Sequence, residues 1–255
     1  MAKLGADLVV EGLTLDFDGL RALDGVGLQA APGELVAVIG PNGAGKSSLF
    51  NCISGLYRPS QGSIRLGDRE LIGLQPHRIA AAGVARAFQS PTLFDELSVL
   101  DNVLVGAHHR AAPSLLGSLL SLPAARRVEA RERKSAGEVL ARLELDEHRD
   151  TPAGELPYGL KKRVELARAL NMQPSLLLLD EPAAGLGPTE TAAMADFLRG
   201  IRDDLGITQV LIDHDLGFVV ELASRVTVLD FGVTIATERP DVIATHPAVI
   251  EAYLG

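Results

Sequence analysis

The sequence contains no tryptophan and, in 255 residues, only three tyrosines and seven phenylalanines. That is too few aromatics for a platform that grips single-stranded nucleic acid by stacking. Its one cysteine, Cys52, excludes a disulfide framework and points to a reducing compartment. No run approaches the roughly 20 apolar residues needed to cross a bilayer. The longest candidates, Leu115 to Leu122 and Leu176 to Leu179, are far shorter. Met1 to Val10 breaks a short apolar run with Lys3, Gly5 and Asp7, so the hydrophobic region of a secretory signal is missing and the cytoplasm is the expected compartment. Basic residues are outnumbered, 24 against 33 acidic ones, for a formal net charge of -9. A field of that sign disfavours nucleic acid and supplies no polybasic membrane anchor. Internal repeats and low-complexity tails are also missing.

What is present is apolar sequence, 47% of the chain, enough for a large buried core. Short β-type runs occur at Leu8 to Phe17, Leu35 to Ile39, Ile64 to Leu66, Leu176 to Leu179, Gln209 to Ile212 and Val226 to Leu229. Several are continuously apolar, as strands buried on both faces are. Helical stretches lie between them at Lys46 to Ile53, Tyr158 to Asn171, Glu190 to Leu205 and Leu216 to Leu222. This alternation predicts an α/β fold with a mostly parallel core sheet. From Thr92 to Met172 the rhythm is lost, no strand stands out, and charged helical sequence such as Arg126 to Leu143 takes over. An inserted α-helical subdomain is expected there. Ser98 followed by Asp101 reads as a capped helix start. Ala111 to Pro123, with Pro113, Gly117 and Pro123, interrupts the helices and is the expected mobile stretch.

Gly40-Pro41-Asn42-Gly43-Ala44-Gly45-Lys46-Ser47 fits G-x-x-x-x-G-K-[ST], between an apolar strand run and a helix, where a phosphate-binding loop has to sit. Glycines let the backbone wrap an anion so that successive amides and the helix N-terminus point at it. Lys46 supplies a cation at the β and γ phosphates of ATP. Ser47 offers its hydroxyl to Mg2+, and Ser48 is the less suited neighbour by register. A glycine-rich turn joining strand to helix is the bland alternative.

Leu176 to Leu179 runs into Asp180-Glu181, and the carboxyl ends of strands are where α/β sheets place their ligands. Asp180 is a metal ligand candidate and Glu181 a base, or an orienting group, for the attacking water. Taken alone, the pair is equally an ordinary strand exit. Upstream, Leu156-Pro157-Tyr158-Gly159-Leu160 opens a helix whose apolar residues Leu160, Val164, Ala167 and Leu170 have helical spacing. It is either a second phosphate cradle or a plain amphipathic helix.

The order of these segments, with Gln89, Ala184-Gly185-Leu186-Gly187 and Asp213-His214-Asp215, resembles ABC transporter ATPase subunits along nearly the whole chain. Pro157-Tyr158-Gly159, Asp180 to Leu186 and the ending Ala248 to Gly255 look like the ATPases of branched-chain amino acid importers. The resemblance implies a P-loop NTPase with an N-terminal antiparallel β region and three parts: 1–91, the helical subdomain 92–172, and 173–255. It implies that Phe17 stacks on adenine, that Gln89 reaches the Mg2+ and attacking-water region, and that His214 contacts the γ-phosphate. Pro157, Tyr158, Gly159 and Leu160 would close over ATP held by a second ATPase subunit. Implied partners are that subunit, transmembrane permease subunits docking near Ser90 to Phe94, and indirectly a solute-binding protein, all at the cytoplasmic face of the membrane. Leu115 to Leu122 is expected to pack within the subdomain, and His108-His109 to lie on the surface.

The chain departs from the common Leu-Ser-Gly-Gly-Gln signature at Pro157 and Leu160, and Gly187 stands where an aspartate is usual. Pro157 has neither hydroxyl nor amide hydrogen to donate. The ATP site completed by this signature is therefore expected to be the weaker of the pair. An exporter subunit, for example for lipid, and a soluble ABC-type switch are the alternatives. Membrane partner identity discriminates the first. A single cassette, no sustained heptads and negative charge speak against the second.

Overall fold

The structure, a computed structural model, describes residues 4–17, 19–87, 92–107, 122–243 and 245–254, with the side chains of 122–126 and 254 outside that description. The expectations attached to Gln89, to Ser90 and Pro91, to His108-His109 and to residues 111–121 fall outside it. The chain forms two compact units, Met1–Gln89 with Ser175–Gly255, and Ser90–Pro174.

The first unit carries two sheets. β1 (Leu8–Phe17), β2 (Leu20–Ala30), β4 (Gln61–Leu66) and the short β5 (Arg69–Glu70) form an antiparallel sheet in the order β2-β1-β4-β5. The second sheet runs β10-β9-β3-β8-β7-β6, from β3 (Leu35–Ile39), β6 (Val84–Ala87), β7 (Leu176–Asp180), β8 (Thr208–Ile212), β9 (Arg225–Asp230) and β10 (Val233–Glu238). Its pairings are parallel except at the β9–β10 edge. All five residues of β3 and of β8 are buried, which is why these strands are continuously apolar rather than alternating.

β2, β5, β6 and β10 lie outside the expected strands. β2 carries Gly25 and Gly27 and shifts register against β1 at several points, so its alternation is broken. β6 is four residues long and includes Arg86, and β10 is a half-exposed edge. The helix expected to start at Glu190 begins earlier, as α6 (Pro188–Gly200), because proline suits a first helical turn. Residues Ile201–Leu205 continue it as a π-helical turn ending at Gly206.

α1 (Lys46–Ile53) follows β3 and buries Leu49, Phe50, Cys52 and Ile53. These side chains join residues of both sheets in one cluster that includes Leu13, Leu23, Val38, Leu178 and Ile212. Each such fully buried side chain contributes roughly 1.5–3 kcal/mol. Burial on this scale holds the start of α1 fixed at the end of β3. α2 (Pro76–Ala81), α7 (Leu216–Leu222), α8 (Pro240–Ile243) and α9 (Pro247–Leu254) complete the unit.

In the second unit, α3 (Val99–Gly106) and α4 (Leu122–Arg142) both pack against α5 (Tyr158–Asn171). Ser98 caps α3 by accepting from the Asp101 amide at 3.0 Å. Asn102, fully buried, donates to the carbonyls of Phe94, Leu97 and Ser98 and accepts from the Phe94 amide. That one side chain ties the entry loop to the helix. No named strand occurs among the described residues of this unit.

Candidate active site

The loop after β3 and the first turn of α1 line a cleft of about 360 Å³, together with Leu20, Arg21, Ala22, Asp180, Glu181, Ile212 and Phe231. Asn42 to Ser48 all face it. Gly40 has φ 148° and Gly45 φ 102°, conformations that glycine adopts without steric cost. A Cβ at Gly40 would lie 2.1 Å from the Leu229 carbonyl oxygen. Gly45 precedes α1 with no side-chain cap, so the first amides of the helix remain available to an anion.

Lys46 Nζ donates to the carbonyls of Gly40 and Pro41, the latter at 2.8 Å. Partial burial lowers the pKa of its ammonium, while Glu181 and Asp180 oppose that shift. The group is therefore a desolvated cation curled inside its own loop. Such a cation gains strongly from a phosphate.

Asp180 ends β7 and Glu181 follows in the left-handed region, φ 53°. Its amide donates to the Ile212 carbonyl at 2.8 Å, which clamps the end of β7 to β8. Strain of this kind in a non-glycine residue clusters at functional sites. Asp180 is ion-paired with Arg86, both side chains 12% exposed, and Arg86 also donates to Asn51 Oδ1 at 2.7 Å. Beyond β8, buried Asp213 accepts from the amides of His214 and Asp215 at 2.8 and 3.0 Å. This turn brings His214 Nδ1 to 4.0 Å from Glu181 Oε1 while leaving the imidazole 70% exposed. Asp215 then caps α7 by accepting from the Phe218 amide.

Among the described residues no group of three or more His, Cys, Asp or Glu forms a metal cage. Mg2+ in phosphoryl-transfer sites is held by one or two protein oxygens together with phosphate. The cleft's donor set, a Ser47 hydroxyl and an Asp180 carboxylate, fits that pattern.

The other expected residues are each described by their own surroundings. Phe17, 40% exposed, packs edge-on against Tyr57 with ring centroids 5.0 Å apart, and is not among the cleft-lining residues. Pro157 directly precedes α5 and gives no side-chain cap. Tyr158 is 43% exposed, with Lys162 Nζ 5.6 Å from its ring centre, and Gly159 is buried. Gly187 precedes α6 and donates its amide to Glu190 Oε2 at 3.0 Å.

Sequence reasoning missed Arg86, Arg21, Leu20 and Phe231. Nothing local marks Arg86, since its partners Asn51 and Asp180 are far off in sequence. Phe231 had a usable signal. It precedes Gly232 between two β-type runs, a hairpin pattern that would have put it beside the strand ends.

Residues 23–184 match the ABC transporter family. Two curated relatives are high-affinity branched-chain amino acid transport ATP-binding proteins: BraF of Pseudomonas aeruginosa, 41% identical, and LivG of Escherichia coli, 42% identical. Each alignment spans 248 residues and 97% of both chains. The ADP conformation of an ATP-binding cassette of an ABC transporter superposes with a TM-score of 0.86 at 30% identity, over 98% of this chain and 99% of that one. With the phosphate loop and the acidic strand end lining one cleft and His214 4.0 Å from Glu181, this chain belongs to the ABC transporter family as a nucleotide-binding ATPase cassette.

Proposed function

We propose that the chain energises uptake of branched-chain amino acids, or a similar small polar solute, by hydrolysing Mg-ATP beside membrane permease subunits. The observation that carries this reading is the end-to-end likeness, 97% of both chains, to ATPases named for that transport. In this reading Lys46 exchanges the Gly40 and Pro41 carbonyls for β- and γ-phosphate oxygens. Amides from Asn42 to Ser48 cradle the phosphates, and Ser47 and Asp180 hold Mg2+. The ion, when bound, neutralises phosphate charge. Glu181 accepts a proton from the attacking water, or orients it, and His214 meets the γ-phosphate. Gln89, which the family resemblance assigns to the Mg2+ and attacking-water region, lies outside the described residues. Little covalent chemistry is asked of the protein, so positioning and charge stabilisation carry the rate.

The site is completed by a second ATPase subunit, whose signature segment closes over this ATP while Pro157 to Leu160 close over the partner's. A solute-binding protein selects the solute. Among the described residues no helix is long and apolar enough to cross a membrane; in this reading the permease subunits span it and this chain sits peripherally at the cytoplasmic face. Phe94, 55% exposed at the start of the second unit, suits a permease contact. Reconstitution with the permease subunits tests this. Glu181→Gln is expected to keep ATP binding and lower turnover at least 100-fold, the usual weight of a proton acceptor. Unchanged turnover sinks the role of Glu181, and the absence of permease subunits in a pull-down from detergent-solubilised membranes sinks the transport reading.

A further inference from the structure

The β9–β10 turn has a residue that the fold does not explain. Asp230 pairs with Val233, leaving a two-residue loop in which Phe231 has φ 41° and Gly232 φ 78°. Two positive φ values in a two-residue hairpin suit Asn-Gly or Asp-Gly. A phenylalanine in the left-handed region is a steric outlier. It gains nothing from burial here either, since Phe231 is 87% exposed.

The turn is nevertheless held firmly. Gly232 donates its amide to the Ala44 carbonyl of the phosphate loop at 3.0 Å, and its own carbonyl accepts from the Asp24 amide at 2.8 Å. A Cβ at Gly232 would lie 2.6 Å from the Ala22 oxygen. The aromatic ring is thus carried on a rigid mount beside the phosphate loop, and it lines the cleft.

Its position along the cleft is set by strand order. β9 lies on one side of β3, and β8 then β7 on the other. Three interstrand spacings, about 14 Å in all, therefore separate the Phe231 end from the Asp180-Glu181 end, with the phosphate loop between them. The acidic end is polar. The opposite end offers Phe231, Ala22 and Leu20, the last 70% exposed. A nucleotide with its terminal phosphate at the acids extends its nucleoside toward these apolar groups.

We propose that Phe231 is a base-binding residue, an aromatic wall against which the purine or ribose of the nucleotide packs. This rests on the reading of the cleft as the Mg-ATP site. The strained, exposed ring is then explained by the contact it makes when the site is loaded.

The test is calorimetric titration of the full chain with Mg-ATP and, separately, with inorganic tripolyphosphate, which has no base. Phe231→Asn is the informative variant, because Asn-Gly suits this turn and keeps the fold. Its melting temperature should equal or exceed that of the parent. ATP affinity is expected to fall about tenfold, within the range that base–aromatic stacking contributes. Tripolyphosphate affinity should not change, and Phe231→Tyr should restore ATP binding. Unchanged ATP affinity in Phe231→Asn overturns the proposal, as does an equal loss for ATP and tripolyphosphate, which would mean that the turn only shapes the phosphate loop. Lys46→Ala separates the two readings. If it leaves both ligands bound as in the parent, the Mg-ATP site itself is misplaced and the proposal falls with it.

Discussion

Replacing Arg86 by methionine tests whether the acidic strand end is held by charge. The guanidinium's contacts include the ion pair with Asp180, the hydrogen bond to Asn51 Oδ1, and a stack over the Phe50 ring at 5.5 Å. Methionine keeps the apolar packing on Phe50 and removes the charge. Asp180, its side chain 12% exposed, is then left without its closest cation, and Lys46 is tied to Gly40 and Pro41. Removing one partner of a buried pair costs about 3–5 kcal/mol. The residual exposure on both sides puts the cost here at the lower end, ~3 kcal/mol. At roughly 2–4 °C per kcal/mol for chains of this size, the melting temperature should fall by about 6–12 °C in a nucleotide-free thermal melt. Adding Asp180→Asn should recover most of the loss, since the stranded charge is its main source, giving a coupling of about 2 kcal/mol in a double-mutant cycle. A melt of Arg86→Met within a degree of the parent, or strictly additive losses in the cycle, would refute this account of the strand end.

Cys52 is buried and its thiol pKa is pushed up to about 12 by desolvation, so native protein should leave alkylating reagents unreacted at pH 8 while urea-unfolded protein reacts within minutes. The same shift has a sign in stability. Unfolded thiol loses its proton near pH 9 and folded thiol does not, so denaturant midpoints should decline from about pH 9 toward 12. Two of the three loop glycines should respond differently to alanine. At Gly40 a Cβ would overlap the Leu229 carbonyl, whereas at Gly43 it would meet no atom within 4 Å. Gly40→Ala should cost about 3 kcal/mol and Gly43→Ala about 1, the latter being left-handed strain alone. Equal shifts in chemical denaturation would count against the close approach of Gly40 to β9.

The sequence by itself determined what depends on near neighbours. Spacing within Gly40 to Ser47, the run of leucines into Asp180-Glu181, the Ser98 cap and the 3.6-residue period from Tyr158 to Asn171 are local codes. They could be read because backbone conformation, capping and one-face burial act over a few residues. The family resemblance followed from the order of such segments. What only the tertiary structure decided depends on atoms far apart in the chain. Arg86 meets Asp180 across the β6–β7 pairing, and Lys46 turns to its own loop carbonyls. β2 and β10 are held by partners rather than by clean alternation. The ring of Phe231 comes to the phosphate loop because β9 lies beside β3. Sheet order and register set these juxtapositions, and they arise from packing of the whole core, which no short window of sequence contains.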